Sequence, residues 1–279
     1  MSDISSVSSS SSSYISSSGS SSAGRFAGSA VQSSAAQLSS GQKIQSAGND
    51  AAGLSIGSRM SSELGGLQMA SRNSMDGMSM VQTASGTLDT LTSNMSRMKE
   101  LAVQAGNGAL NDNDRAAIQS EIRQLNEQNT SLLEDASYNG QALFNNSRPM
   151  QLQTGPNAGD TTEMATGDLL QSLTDSGLFS LDVSSAGSAS ASLSTLDAAM
   201  SQVGEQQSEL GALNNRLTSN MNNLADRAIS TGAAKSRITD TDMAKAASEW
   251  SASQIKDQVQ LAMQAQANVR AGDMLQLLG

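Results

Sequence analysis

Two long stretches carry apolar residues at alternating three- and four-residue steps, and this pattern constrains the fold more than any other feature. The first is Val81, Ala84, Leu88, Leu91, Met95, Met98 and Ala102. The second is Leu193, Leu196, Met200, Val203, Gln207, Leu210, Asn214, Leu217, Met221 and Leu224. Such spacing places one apolar seam along an α-helix, the pattern of coiled coils and helical bundles. Two seams far apart in sequence are natural partners for each other. Aromatics are only 2% of the chain, so no thick globular interior built on Phe, Tyr and Trp is available. Leu, Met, Ala, Ile and Val must close the core, and helices packed side by side can do so.

The remaining punctuation fits this reading. Phe26, Ala30, Val31, Ala35 and Leu38 recur at helical steps. They lead into a polar joint with Ser39, Ser40 and Gly41, then Gly48, Asn49 and Asp50, where Asn49 or Asp50 can cap the next helix. Gly57, Gly65, Gly66, Gly77 and Gly86 each weaken that helix by ~1 kcal/mol relative to Ala, so they imply close packing against it. A turn at Gly106–Asp114 precedes a second helix marked by Ile118, Ile122, Leu125 and Leu132. Asn139-Gly140 signals a tight turn, and alternation around Gly155-Pro156-Asn157 predicts a small β-hairpin. A final helix is expected from Thr239–Asp242 to Leu278, carrying Met243, Ala247, Trp250, Ile255, Val259, Ala262, Val269 and Met274. The serine-rich start, Met1–Ser22, buries too little apolar surface to order itself in isolation. Its sparse Ile4, Val7, Tyr14 and Ile15 are candidate anchors on assembly.

Chemistry finds little to use. There is no His and no Cys, so neither a histidine-activated nucleophile nor a disulfide framework is possible. The pairs Asp112/Asp114 and Asp240/Asp242 sit at helix starts and read as caps rather than as a carboxylate site. The run from Asn111 fails as a calcium loop, because Arg115 and Ala116 stand where a ligand and a glycine are needed. No catalytic residue, cofactor or metal is expected. A net charge of −10 argues against a nucleic-acid partner. No apolar run is long enough to span a membrane. The start lacks the pattern of a cleavable signal peptide, so export by another route is expected.

Several motifs, in one order, resemble bacterial flagellin. They are "LSSGQKIQSAGNDAAGLSI", "QMASRNSMDGMSMVQTASGTLD", "MKELAVQAGNG", "IQSEIRQLNEQ", "YNGQALF" and "LQTGPNAG", and later "LGALNNRL", "SRITDTDMAKAASEWSASQI" and "MLQLLG". Together they cover roughly residues 37–159 and 193–279. The resemblance implies a mainly α fold, a coiled-coil-like bundle with a small hairpin, in two coaxial layers of a helical filament. Residues 1–44 and 236–279 would form the inner helical pair and spokes (the layer called D0), and 45–235 the outer shell (D1). A strand returning through the joint would lie near 233–239. Only Thr161–Ser192 separates hairpin from third helix, so the outer domains of larger flagellins are absent or vestigial.

In function, the resemblance implies an extracellular structural subunit that polymerises with itself and is used in motility. Flagellar cap proteins, hook–filament junction proteins and an export chaperone would be further partners. Leu275, Leu277 and Leu278 would serve assembly from the inner C-terminal helix, and Leu88, Leu91, Met95, Leu210, Leu217 and Leu224 would share one shell seam. Arg97, Leu101 and Glu121 match a patch by which a Toll-like receptor senses some flagellins, although "RMKELAVQ" also reads as a plain solvated helix face. A minor or junction protein of the flagellum, and a secreted helical module that engages a host receptor, stand as the alternative readings.

Overall fold

The computed structural model describes residues 31–146, 148–164 and 167–278, with side chains omitted at 271 and 274–278. Met1–Ser22 and its candidate anchors, with Phe26 and Ala30, therefore lie outside the described residues, as do the side chains of Leu275, Leu277 and Leu278.

The elements run in simple order. Residues 31–40 are helical (α1). Then come α2 (Ala51–Ala105), α3 (Asp112–Asp135), β1 (Ser137–Tyr138), β2 (Gln141–Ala142), β3 (Met150–Gln153), β4 (Thr161–Met164) and α4 (Leu169–Asp175). A 3-10 turn at Leu178–Ser180, α5 (Ala186–Thr239) and α6 (Met243–Leu278) complete the chain. The chain divides into two compact units. One holds the described residues up to Ser61 together with Thr231 onward, and the other is Ser62–Ser230. The boundaries expected at 44/45 and 235/236 both fall inside the first unit.

In the second unit, the apolar stripes of α2, α3 and α5 meet in one core. Leu88, Leu91, Met95, Leu196, Leu210 and Leu217 are at most 1% exposed. Helix α2 is rich in Ser and Thr, poor helix formers because their hydroxyls compete for the backbone. Here Thr83, Thr87, Thr90, Ser93 and Ser96 turn that competition inward, each donating to the carbonyl four residues back. Helix α3 starts on a reciprocal cap: Asn111 Oδ1 accepts from Asp114 N at 2.9 Å, and Asp114 Oδ2 accepts from Asn111 N at 3.3 Å. The neighbouring Arg115 is buried and closes the α2–α3 turn. Its guanidinium donates to the carbonyls of Ala105, Leu110 and Asn107 at 3.1, 3.0 and 2.9 Å. Carbonyls left over at the end of α2 are thereby satisfied.

The Asn139-Gly140 turn joins β1 to β2, with φ of 51° and 78° at its two residues. Both positive values are those of the favoured two-residue hairpin turn. Strands β3 and β4 pair antiparallel, Met150 opposite Met164 and Gln153 opposite Thr161. Two asparagines hold this hairpin: Asn73 Nδ2 donates to Gln153 O at 2.9 Å, and Asn220 Nδ2 to Thr154 O at 2.7 Å. Two helix glycines let it approach. A Cβ on Gly66 would lie 2.9 Å from Pro156 Cβ, and one on Gly77 would lie 2.8 Å from Leu152 Cδ2. Close packing was the expected reason for glycines in α2; at Gly66 the neighbour is the hairpin, and at Gly77 it is the hairpin together with Leu217 of α5.

Three expectations need correction. Residues 233–239 are helical, not a strand, because α5 continues unbroken to Thr239. The third helix begins at Ala186, before its first seam leucine, and the segment between hairpin and helix folds into α4 and the 3-10 turn, burying Leu169, Leu173 and Leu178. The seam is also not single: Leu224 belongs to a smaller cluster with Leu67 and Ala70, separate from the main core.

Candidate functional site

Of the two carboxylate pairs, Asp114 and Asp242 serve helix starts, while Asp240 bonds side-chain hydroxyls. Asp242 Oδ1 accepts from Ala244 N at 3.0 Å and Lys245 N at 3.1 Å, capping α6. Asp240 accepts from Ser236 Oγ at 2.6 Å and Thr239 Oγ1 at 2.9 Å. These two hydroxyls, Ser236 first, hold its carboxyl below the ordinary value. Among the described residues no cluster of three or more Asp or Glu side chains could hold a metal ion.

The first unit contains two features instead: a tied joint and an open apolar stripe. In the joint, Gly41 turns the chain at φ 67°. Gln42 and Asp240 then form an isolated antiparallel bridge. Lys43 N donates to Thr239 O at 2.7 Å, and Thr241 N donates to Gly41 O at 3.0 Å. Ile44 is buried between these strands of backbone and α2. Gly53 leaves room for the Ile44 side chain, and a Cβ at Gly57 would stand 2.8 Å from Thr239 Cγ2. Asp50, not Asn49, caps α2, accepting from Gly53 N at 2.8 Å. The conspicuous "GNDAAGLSIG" run is thus a helix start built to accept a second chain segment at close range.

The stripe lies on α6. Val259 stands four residues after Ile255, Ala262 and Met263 three and four after Val259, and Val269 seven after Ala262, all on one face of the helix. Ile255 is 61% exposed and Met263 69%. Val259 and Val269 are likewise open, and of the described α6 side chains only Ala246 is buried. Single exposed apolar residues need no explanation, but a repeated helical row of them marks a surface meant for contact.

The other expected sites divide. Leu88, Leu91, Met95, Leu210 and Leu217 share the main core, as described, while Leu224 does not. Arg97 and Glu121 are exposed and paired with each other, Nη2 to Oε1 at 3.0 Å, and Arg97 also reaches Glu100 at 3.1 Å. This pairing raises the Arg97 pKa, through Glu121 first. Leu101 is 2% exposed and part of the core. It faces inward with Met98 and Ala102, so Arg97 and Glu121 do not present it to a receptor. Sequence reasoning missed Arg115 and Gln119. Gln119 binds both sides of one backbone segment, donating to Leu181 O at 2.9 Å and accepting from Val183 N at 2.7 Å. A polar residue on a helix gives no sequence signal for such a clamp.

Comparison with known proteins agrees with this geometry. The chain matches the bacterial flagellin N-terminal helical region over residues 12–148 and the bacterial flagellin C-terminal helical region over residues 193–278. It is 39% identical to a flagellin of Halalkalibacterium halodurans, over 87% of this chain and 89% of that one. It is 36% identical to a flagellin of Bacillus subtilis, over 90% and 93% respectively. A flagellar filament core protein of Brachyspira hyodysenteriae is 34% identical over 87% of this chain and 90% of its own length. Among solved structures, Bacillus cereus flagellin aligns with a TM-score of 0.50 at 26% identity, covering 55% of this chain and 88% of that one. With matches at both ends and relatives alike over most of their length, the chain belongs to the bacterial flagellin family, in a short form without outer domains, and is a structural subunit of the flagellar filament rather than an enzyme.

Proposed function

We propose that this subunit polymerises through α6, whose apolar row is covered by neighbouring copies. The observation that carries the reading is the open row Ile255, Val259, Met263 and Val269, on a helix whose described side chains are nearly all exposed. Identical subunits joined by heterologous contacts extend into an open helix when the rotation does not close. The sequence continues the helix with Leu275, Leu277 and Leu278, which add apolar surface to the same inner layer.

An uncovered α6 row on a soluble subunit also needs protection before assembly, which supports an export chaperone. At the filament's two ends the same surface would meet the junction and cap proteins. The uncleaved export route expected from the sequence fits the same picture, and no described helix is long and apolar enough to cross a membrane.

The experiment is the pair Ile255→Asp and Val259→Asp, examined by sedimentation and negative-stain microscopy. Both variants should remain monomeric under conditions where the parent forms filaments, with an unchanged melting transition of the Ser62–Ser230 unit. Normal filaments from both variants would contradict the proposal.

A further inference from the structure

Two buried side-chain oxygens in the helical core have no hydrogen-bond partner among the described residues: Asn126 Oδ1 on α3 and Gln202 Oε1 on α5. Asn126 is 6% exposed. A buried acceptor left without a donor loses its hydration without replacement, so each such case calls for a cause.

The two oxygens lie at nearly one level. The backbone segment 181–183 is gripped from both helices. Gln119 of α3 bonds Leu181 O and Val183 N, and Ser192 Oγ of α5 donates to Asp182 O at 2.7 Å. That grip sets residue 119 of α3 beside residue 192 of α5. Both helices run antiparallel to α2: α3 through Asn94–Asn129 and Arg97–Glu121, α5 through Asp89–Gln207 and Lys99–Asp197. They are therefore parallel to each other. Two turns on from the grip, Asn126 comes level with Ala199. Gln202 lies three residues farther, about 4.5 Å along the axis.

Both also lie on flanks of their helices other than the one that bonds α2. On α3, Glu121 and Asn129 turn toward α2, while Asn126 shares the flank of Gln119 that meets segment 181–183. On α5, Asp197 and Gln207 turn toward α2, and Gln202 stands on the other flank of the row Leu196, Ala199 and Val203.

We infer that a buried water molecule bridges Asn126 Oδ1 and Gln202 Oε1 and pins the register of α3 against α5. Water supplies two O–H donors, one for each orphan oxygen, in a setting where buried waters typically satisfy such groups. It is neutral, as a core without an opposing charge demands. Nearby, Asn94 Nδ2 donates to the buried Asn129 Oδ1 at 2.7 Å, so a layer of amides crosses the bundle at this height. A polar layer among apolar ones selects one register, since a slip would strand its groups against leucines.

The test uses the full-length monomer with Asn126→Leu, Gln202→Met and the double variant. Each single change leaves the other oxygen unpaired and should lower the melting temperature by about 5 °C. The double variant should melt clearly above the additive expectation, because both orphans are gone. In 15N-labelled parent protein, a water cross-peak to the Asn126 side-chain amide should appear and should vanish in Gln202→Met. Additive single effects, or no water cross-peak in the parent, would overturn the inference. Coupling without the cross-peak would mean that one amide is turned over and bonds the other directly.

Discussion

Helices α2 and α6 carry the same kind of message and meet different fates. Both carry a face of small and medium apolar residues at helical spacing. On α2, Leu88, Leu91, Met95 and Met98 are 0% exposed, covered by α3 and α5 of the same chain. On α6, Ile255 and Met263 are more than 60% exposed. The difference teaches that apolar periodicity specifies a face to be covered, not the molecule that covers it. Burial at about 25 cal/mol per Å² is available to either row, but among the described residues nothing covers the row on α6. Under the proposed mode of assembly, the subunit stays folded through its α2–α5 core while α6 remains open.

The comparison can be broken most forcefully inside the core. Leu91→Ala should destabilise the monomer by ~2–5 kcal/mol, read by urea unfolding, since its side chain is fully enclosed. Ile255→Ala should leave that unfolding curve unchanged and weaken polymerisation alone. Equal effects of the two on the monomer would erase the distinction between the rows.

A finer contrast lies within α2. Gly77→Ala should destabilise by about 1–3 kcal/mol, because its Cβ would meet Leu152 and Leu217. Gly86→Ala should instead stabilise by roughly 0.5–1 kcal/mol, as nothing stands near that position and alanine favours a helix. Thermal melts of the two variants should move in opposite directions.

The smallest effect concerns the joint. Asp240 has its pKa lowered in the folded chain by Ser236 and Thr239. Its contribution is present above the unfolded carboxylate value and is lost as pH falls through the lower, folded one. Amide exchange at Lys43 and Thr241 should therefore quicken in that acid window, and Asp240→Asn should remove the pH dependence. An acid response unaltered by this substitution would place it elsewhere.

Much of this was legible in the sequence because period and punctuation report local geometry. The two seams, the Asn139-Gly140 turn, the hairpin and the start of α6 all follow from spacing or turn chemistry that the chain states directly. Tertiary choices were less legible. Nothing in periodicity tells that Leu101, beside the exposed Arg97, turns inward, or that Leu224 leaves the main seam for a cluster with Leu67. The segment at 233–239 was expected as a strand on resemblance alone, whereas its own residues, Ala233, Ala234 and Lys235 among them, favour a helix. Arg115 and Gln119 escaped notice because long polar side chains show no partner until the backbone they clamp is in place. The joint was conspicuous, but the closeness it achieves at Gly53 and Gly57 depends on Ile44 and on the remote Thr239.

The central claim is that α6 is open in the free subunit and covered in the filament. Amide hydrogen exchange on monomers and on assembled filaments tests it most directly, peptide by peptide. The account predicts that peptides spanning Ile255–Val269 exchange rapidly in monomers and become strongly protected in filaments, while peptides spanning Leu88–Met98 are protected in both. Equal protection of Ile255–Val269 in the two states would contradict it.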